Sequence, residues 1–224
     1  MNGGLPVIAI VGGTGAEGSG LAVRWARAGY RVVLGSRAAD RAAEAASRLA
    51  EHGAVEGRAN GDAAAAADIV VVTVPYAAQR STLADIKDAV QGKIVVDVTV
   101  PLVPPRVARV QLPAEGSAAR IAQAILGEGV RVVSAFQNVA ADHLADPAHR
   151  TDCDVLVCGD DKDARAAVVR LVEAAGLRGL EAGPLDNAVA AEALTSVLIW
   201  MNRRYGSPGA GIRITGLPDR DAAD

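Results

Sequence analysis

The sequence is short of aromatic side chains, lysine and cysteine, and each shortage narrows what the chain can be. Aromatics are 3% of the 224 residues although half are apolar. A core must therefore be assembled from Ala, Val, Leu and Ile, which suits a parallel sheet covered by Ala-rich helices. The lysines are Lys87, Lys93 and Lys162 and the formal net charge is −3, so the basic surface that nucleic-acid binding requires is missing. Cys153 and Cys158 form neither a C-x-x-C pair nor a zinc set. Five residues apart on a strand they point to opposite faces, and buried reduced thiols are expected. Residues 1–6 carry no basic n-region, and the apolar run VIAIV at 7–11 is too short for a signal peptide or a membrane span, so no membrane association and a cytoplasmic location are expected.

What is present is an alternation of strand and helix patterns. Strands are expected at 7–11, 31–34, 69–74 and 93–98, separated by helices at 21–28, 41–52, a short one within 59–67, and 81–90. That order, β-α-β-α-β-α-β, is the signature of a parallel doubly wound α/β sheet of Rossmann type. Residues 100–113 hold four prolines and read as a loop. Beyond it come a helix at 117–126, a strand at 131–136, an irregular polar stretch at 137–151, a strand at 154–158, a helix at 163–175, an extended piece at 177–182 and a long helix at 186–204. A glycine-rich tail with a possible strand at 212–215 follows, and 218–224 is expected to fray. The division drawn is a Rossmann domain, 1–136, and a smaller C-terminal α/β segment, 137–224, that completes the substrate cleft.

Gly13-Thr14-Gly15-Ala16-Glu17-Gly18 matches G-x-G-x-x-G directly after an apolar strand and at the start of a helix, the context that makes the pattern a dinucleotide fingerprint. The first glycine permits the tight turn, the second lets backbone approach a pyrophosphate, and the third lets helix pack on strand. The helix N-terminus then offers free N–H groups and partial positive charge to phosphate. An NAD site would carry an acid at the end of the second strand, about 20 residues on. Here that position reads Gly35-Ser36-Arg37, with Arg41 four residues further. A hydroxyl and two guanidiniums suit a 2′-phosphate, so NADP(H) is expected.

General acid–base chemistry is hard to find. Tyr76-Ala77-Ala78-Gln79-Arg80 has arginine where a short-chain dehydrogenase needs lysine, and the long C-terminal helix carries no lysine. His52, His143 and His149 lie in polar surface settings, and no G-x-S-x-G or H-E-x-x-H motif occurs. Direct hydride passage between two stacked planar heterocycles needs neither; it needs orientation and exclusion of water.

Taken together the motifs resemble the NADPH-dependent F420 reductases. The pieces that carry the resemblance run in order through the chain: Gly12-Gly13-Thr14-Gly15, Gly35-Ser36-Arg37, Thr73-Val74-Pro75, Pro101-Leu102-Val103-Pro104, Val133-Ser134-Ala135-Phe136, Val157-Cys158-Gly159-Asp160-Asp161, Ala182-Gly183-Pro184-Leu185, Glu192-Ala193-Leu194-Thr195 and Asn202-Arg203-Arg204-Tyr205. The resemblance implies reversible hydride transfer between NADPH and the 5-deazaflavin coenzyme F420 in a homodimer. It implies that Gly13, Thr14, Gly15, Ala16 and Glu17 wrap the pyrophosphate while Ser36, Arg37 and Arg41 hold the 2′-phosphate. Val74, Pro75, Tyr76, Arg80 and Ala141 would flank the nicotinamide. Pro101, Val103, Gln137, Asn138, Val139 and Gly211 would line the deazaflavin side, and Arg106, Arg109, Arg203 or Arg204 would meet its anionic tail. No metal and no side chain acting as catalytic acid or base are expected. The chain departs from the family at Gln137-Asn138, where many members have histidine; an amide can hydrogen-bond a ring carbonyl but cannot become cationic. Reduction of another planar acceptor (a flavin, a quinone or a ferric chelate) and a non-catalytic NADP(H) sensor are the alternatives.

Overall fold

The computed structural model describes residues 4–217; the tail expected to fray, 218–224, lies outside them. The strands are β1 (Ile8–Val11), β2 (Val32–Ser36), β3 (Val55–Ala59), β4 (Ile69–Val72), β5 (Ile94–Asp97), β6 (Arg131–Ser134), β7 (Asp154–Gly159) and β8 (Arg178–Glu181). The helices are α1 (Ala16–Arg27), α2 (Ala39–Leu49), α3 (Asn60–Ala66), α4 (Tyr76–Ile86), α5 (Ala118–Leu126), α6 (Ala141–Ala145), α7 (Lys162–Ala174) and α8 (Ala188–Tyr205). One sheet runs β3-β2-β1-β4-β5-β6-β7-β8. Strand order reverses at β1, which lies between β2 and β4, and in such sheets ligands bind outside the carboxyl ends at that reversal.

The apolar run of β1 is buried on both faces. Ile8 and Ile10 pack with Leu21, Trp25 and Leu171 on one side of the sheet, while Ala9 and Val11 pack with Ala63, Ala64 and Leu83 on the other. Each fully buried aliphatic side chain of this kind contributes roughly 1.5–3 kcal/mol. The few aromatics are placed where volume is needed: Trp25 and Phe136 meet edge to face with centroids 6.0 Å apart.

Three features differ from the sequence expectation. β3 does not stand out in the sequence, because Val55-Glu56-Gly57-Arg58-Ala59 has one large apolar side chain and a central glycine; it is a half-buried edge strand paired to β2. β7 runs antiparallel to β6, with β8 parallel to β7, so the C-terminal segment extends the same sheet in the opposite sense. Residues 212–215 form no strand: Asp154 N–H donates to Ile212 O (2.8 Å) and Ile214 N–H to Asp154 Oδ2 (2.7 Å), so this piece crosses the start of β7 without a ladder.

The 143–149 stretch, read as irregular, contains the end of the short helix α6 and is tied down by Arg24 on α1. That buried guanidinium donates to the carbonyls of Leu144 (3.0 Å), Ala175 (2.8 Å), His143 (2.7 Å), Asp146 (2.8 Å) and His149 (3.1 Å). Gly20, one turn before Arg24, lets α6 approach: a Cβ there would stand 2.7 Å from Leu144 Cβ. Arg24→Ala removes every one of these charge-assisted bonds. Urea unfolding should show a loss on the order of 3 kcal/mol or more, and Arg24→Lys should restore less than half of it, because one ammonium lacks the planar fork. A loss under about 1 kcal/mol would mean the carbonyls are satisfied some other way.

Candidate functional site

The cavity at the carboxyl ends of β1, β2, β4 and β5 has a volume of about 670 Å³, within the range of small-molecule sites, roughly 300–1,000 Å³. Its floor is the glycine turn. Gly12 has φ +76°, a left-handed conformation open to glycine. Gly13 N–H donates to both Ile10 O (3.1 Å) and Gly35 O (3.0 Å), and a Cβ on Gly13 would meet Ile10 O at 2.6 Å. A Cβ on Gly18 would meet Gly13 Cα and Thr73 Oγ1, each at 2.7 Å. The chain therefore folds flat against β1 and enters α1 at Gly15, whose missing side chain leaves the helix without a side-chain cap. The uncapped first-turn N–H groups are an anion site by geometry and dipole.

At one end stand Ser36, Arg37, Ala38 and Arg41. Ser36 closes β2 and is buried, with its Oγ accepting from Ala38 N–H (3.4 Å). Arg37 and Arg41 are exposed, and neither has an ion-pair or hydrogen-bond partner among the described residues. The acid nearest in sequence, Asp40, is outside the lining. Two unpaired guanidiniums over a buried hydroxyl, with no carboxylate between them, fit a phosphate monoester.

At the other end are Thr73, Val74, Pro75 and Tyr76 after β4, residues 98–100 and Leu102 after β5, and Gln137, Val139 and Thr195 from the C-terminal half. Gln137 is held from both sides: its Nε2 donates to Asp97 O (2.8 Å), and its backbone O accepts from Thr195 Oγ1 (2.7 Å). Its Oε1 is buried with no partner. Behind it lie two buried acids outside the lining. Asp97 accepts from Thr99 N–H (2.9 Å) and from Gln79 Nε2, and burial pushes its carboxyl up to about 6 against those bonds. Glu192 accepts from Ala118 N–H (2.6 Å) and Ala119 N–H (3.0 Å) at the start of α5; burial pushes it up to about 8. Glu17 is an acid inside the lining, and burial pushes its carboxyl up to about 8 as well.

Of the residues named from sequence, Thr14, Gly15, Ala16, Glu17, Ser36, Arg37, Arg41, Val74, Pro75, Tyr76, Gln137 and Val139 line this one cavity. The others lie outside its lining. Gly13 sits behind the turn. Asn138 is turned away, its Nδ2 donating to Asp154 O (2.7 Å) and Cys153 Sγ (3.1 Å). Arg80 pairs with Glu115 at 2.6 Å on the surface. Pro101 and Val103 flank Leu102, which is the lining residue of that loop; Ala141 opens α6; and Gly211 packs on Cys153, where a Cβ would stand 2.6 Å from Sγ. Sequence reading missed Asn60, whose Oδ1 accepts from Gly12 N–H at 3.4 Å, and Thr195, which reaches the site from α8. The signal for Asn60 was its place at the start of the short helix expected within 59–67; Thr195 stands in the Glu192-Ala193-Leu194-Thr195 stretch of the resemblance, with nothing to mark its role.

The family model described as NADP oxidoreductase, coenzyme F420-dependent, matches residues 7–101. The chain is 44% identical over 224 residues to the F420-dependent NADP reductase of Methanothermobacter thermautotrophicus, covering 96% of this chain and 97% of that one. It is 40% identical over 221 residues to the enzyme of that name from Methanocaldococcus jannaschii, covering 94% and 98%. The crystal structure of a candidate F420-dependent NADP reductase from Arthrobacter sp. FB24 superposes with a TM-score of 0.79 at 27% identity, covering 94% of this chain and all of that one.

The turn can be tested alone. Gly18→Ala places a methyl 2.7 Å from Gly13 Cα, so α1 must shift from the strand. Fluorescence titration should show dinucleotide affinity reduced by at least about tenfold, a loss of roughly 1.4 kcal/mol, with far-UV circular dichroism unchanged. Unchanged affinity would show that the close helix–strand approach is dispensable.

Proposed function

The chain belongs to the F420-dependent NADP reductase family, and on that premise we propose that it passes a hydride directly and reversibly between NADPH and coenzyme F420 in the cavity described above. The observation that carries the reading is the pairing, in one cavity, of an uncapped helix N-terminus with two partnerless arginines at one end and a mostly uncharged recess at the other.

When bound, the two ring systems would supply the chemistry, NADPH as hydride donor and the deazaflavin as acceptor, with one proton taken from solvent. The protein binds, orients and dries. Backbone N–H groups of residues 14–17 receive the pyrophosphate, and Ser36, Arg37 and Arg41 receive the 2′-phosphate. Val74, Pro75 and Tyr76 bound the nicotinamide, while Val139 and Leu102 exclude water from the space beside it. Gln137 lines the recess, its Nε2 committed to Asp97 O and its Oε1 buried without a partner. A shallow second hollow of about 370 Å³, lined by Pro105, Arg106, Ala108, Arg109 and Arg203, offers cations to an anionic tail.

In this account residues 1–136 hold the dinucleotide, and the segment from 137 supplies Gln137, Val139 and Thr195 to close the cleft. On α8, Val197, Trp200, Met201 and Tyr205 expose apolar surface at helical spacing; Trp200 is 53% and Tyr205 73% exposed. That stripe suits a second copy of the chain, and a cytoplasmic homodimer is the form proposed. Sedimentation should give twice the chain mass, and Trp200→Glu should give a monomer; a monomeric wild type would remove this part.

Mixing the protein with NADPH and F420 should bleach the deazaflavin absorbance, and NADH should serve far less well. Arg37→Ala with Arg41→Ala should raise KM for NADPH by roughly 10–100-fold with kcat little changed, as loss of uniform binding does, and should leave NADH turnover nearly as it was. No bleaching in either direction, with turnover of a flavin, quinone or ferric chelate, would move the reading to another acceptor. NADPH binding without any turnover would leave a sensor.

A further inference from the structure

We propose that Glu17 sets the redox preference of the dinucleotide site: its carboxylate, when ionised, stabilises the cationic nicotinamide of NADP+ over the neutral ring of NADPH, and the carboxyl is protonated when NADPH is bound. This rests on the reading that the cavity holds NADP(H).

Glu17 is the second residue of α1, and it lines the cavity. Positions 17, 20 and 24 fall on one helix face. Gly20 lies against Leu144 and Ala145, and Arg24 bonds the carbonyls of His143 and Leu144, so this face looks toward α6 and the Val139 end. It looks away from Arg37 and Arg41. A side chain here reaches the cavity where the ring is proposed to lie, and among the described residues its carboxyl has no hydrogen-bond or ionic partner.

The charged and titratable groups on the elements around it are engaged elsewhere. On α1, Arg24 is spent on backbone carbonyls. On α6, Asp142 is exposed and the His143 ring is stacked on His149 and lies against Gly209. Tyr76, at the start of α4, lines the same cavity. Asp85, near the end of α4, is exposed at the cavity's margin. From α2, Arg41 stands at the phosphate end; from α7 and β2, no charged side chain reaches the lining. Burial pushes Glu17 up to about 8, against the pull of the α1 N-terminus in whose first turn it lies.

A carboxyl of this kind is neutral beside a neutral ring. A fixed positive charge within about 4–6 Å lowers a neighbouring carboxyl by roughly 1–3 pH units, so formation of the pyridinium draws the proton off Glu17. By linkage, NADP+ then binds more tightly as pH rises toward and through the value of the free site, whereas NADPH does not. The 2′-phosphate titrates near pH 6 in both forms and cancels in the comparison.

The test is calorimetric titration of the intact protein with NADP+ and, separately, NADPH, in buffers of different ionisation enthalpy. Wild type should release up to one additional proton on binding NADP+ relative to NADPH near pH 7. The ratio Kd(NADPH)/Kd(NADP+) should rise about tenfold or more from pH 6 to pH 9, because each tenfold increase in the acidity of the carboxyl beside the pyridinium adds one decade to the preference. Glu17→Gln should abolish the additional proton and flatten the ratio. Equal proton release for the two forms in wild type overturns the inference even if Glu17→Gln fails to fold; so does a Glu17→Gln protein that keeps the wild-type pH dependence. Failure of both dinucleotides to bind would instead overturn the cofactor reading itself.

Discussion

The site depends on a backbone that must lie flat. Between β1 and α1 the chain turns so tightly that side chains on Gly13 or Gly18 would collide with Ile10 O or Gly13 Cα. Because Gly12, Gly13 and Gly15 carry no side chains, the first turn of α1 lies close to the carboxyl edge of the sheet, at the point where strand order reverses. Every cofactor contact proposed here is downstream of that geometry. The arginines after β2 stand at the far end of the same cavity because Gly13 N–H is bonded to Gly35 O, which fixes the spacing between the turn and β2.

The second dependence is the attachment of the C-terminal half. β7 joins the sheet antiparallel to β6 through two register pairs, Val133 with Gly159 and Ser134 with Cys158. That short seam is reinforced by Arg24, which binds carbonyls on both the 143–149 stretch and the end of α7. The result is that Gln137 and Val139 are held at the cavity rather than on a free loop, with Thr195 pinning Gln137 from α8. Buried polar groups are concentrated there, and they hold the Gln137 amide in one orientation.

Legibility in the sequence tracked the locality of the physics. The glycine turn, the missing acid at Ser36 and the apolar strands declare themselves within a few residues, because they are set by backbone sterics, by charge and by burial on both faces. β3 was hidden because an edge strand half in solvent needs few large apolar side chains, and Gly57 reads as a breaker when it in fact lets α2 pack close. α4 begins earlier than its pattern suggests: Pro75 ends β4's extension and also serves as its N-cap, so Tyr76 is helical. Asn138 looked like a site residue, and nothing in the sequence marked Arg24. Only the tertiary path shows that Asn138 caps β7 backbone and that Arg24 is buried. Thr195 and Glu192 lie in a stretch that carries the family resemblance, but neither they nor Asp97 carry a local mark of the contacts they make.

The central claim is that this chain contributes geometry while the hydride passes straight from one ring to the other. The most direct measurement is isotopic: NADPH carrying deuterium at the transferred C4 position, reacted with F420 in ordinary water, followed by mass and magnetic-resonance analysis of the reduced deazaflavin. The account requires one deuterium at C5, undiluted by solvent hydrogen. Hydrogen from water at C5, with the label lost, would contradict it and would demand an exchanging intermediate that the described site has no group to form.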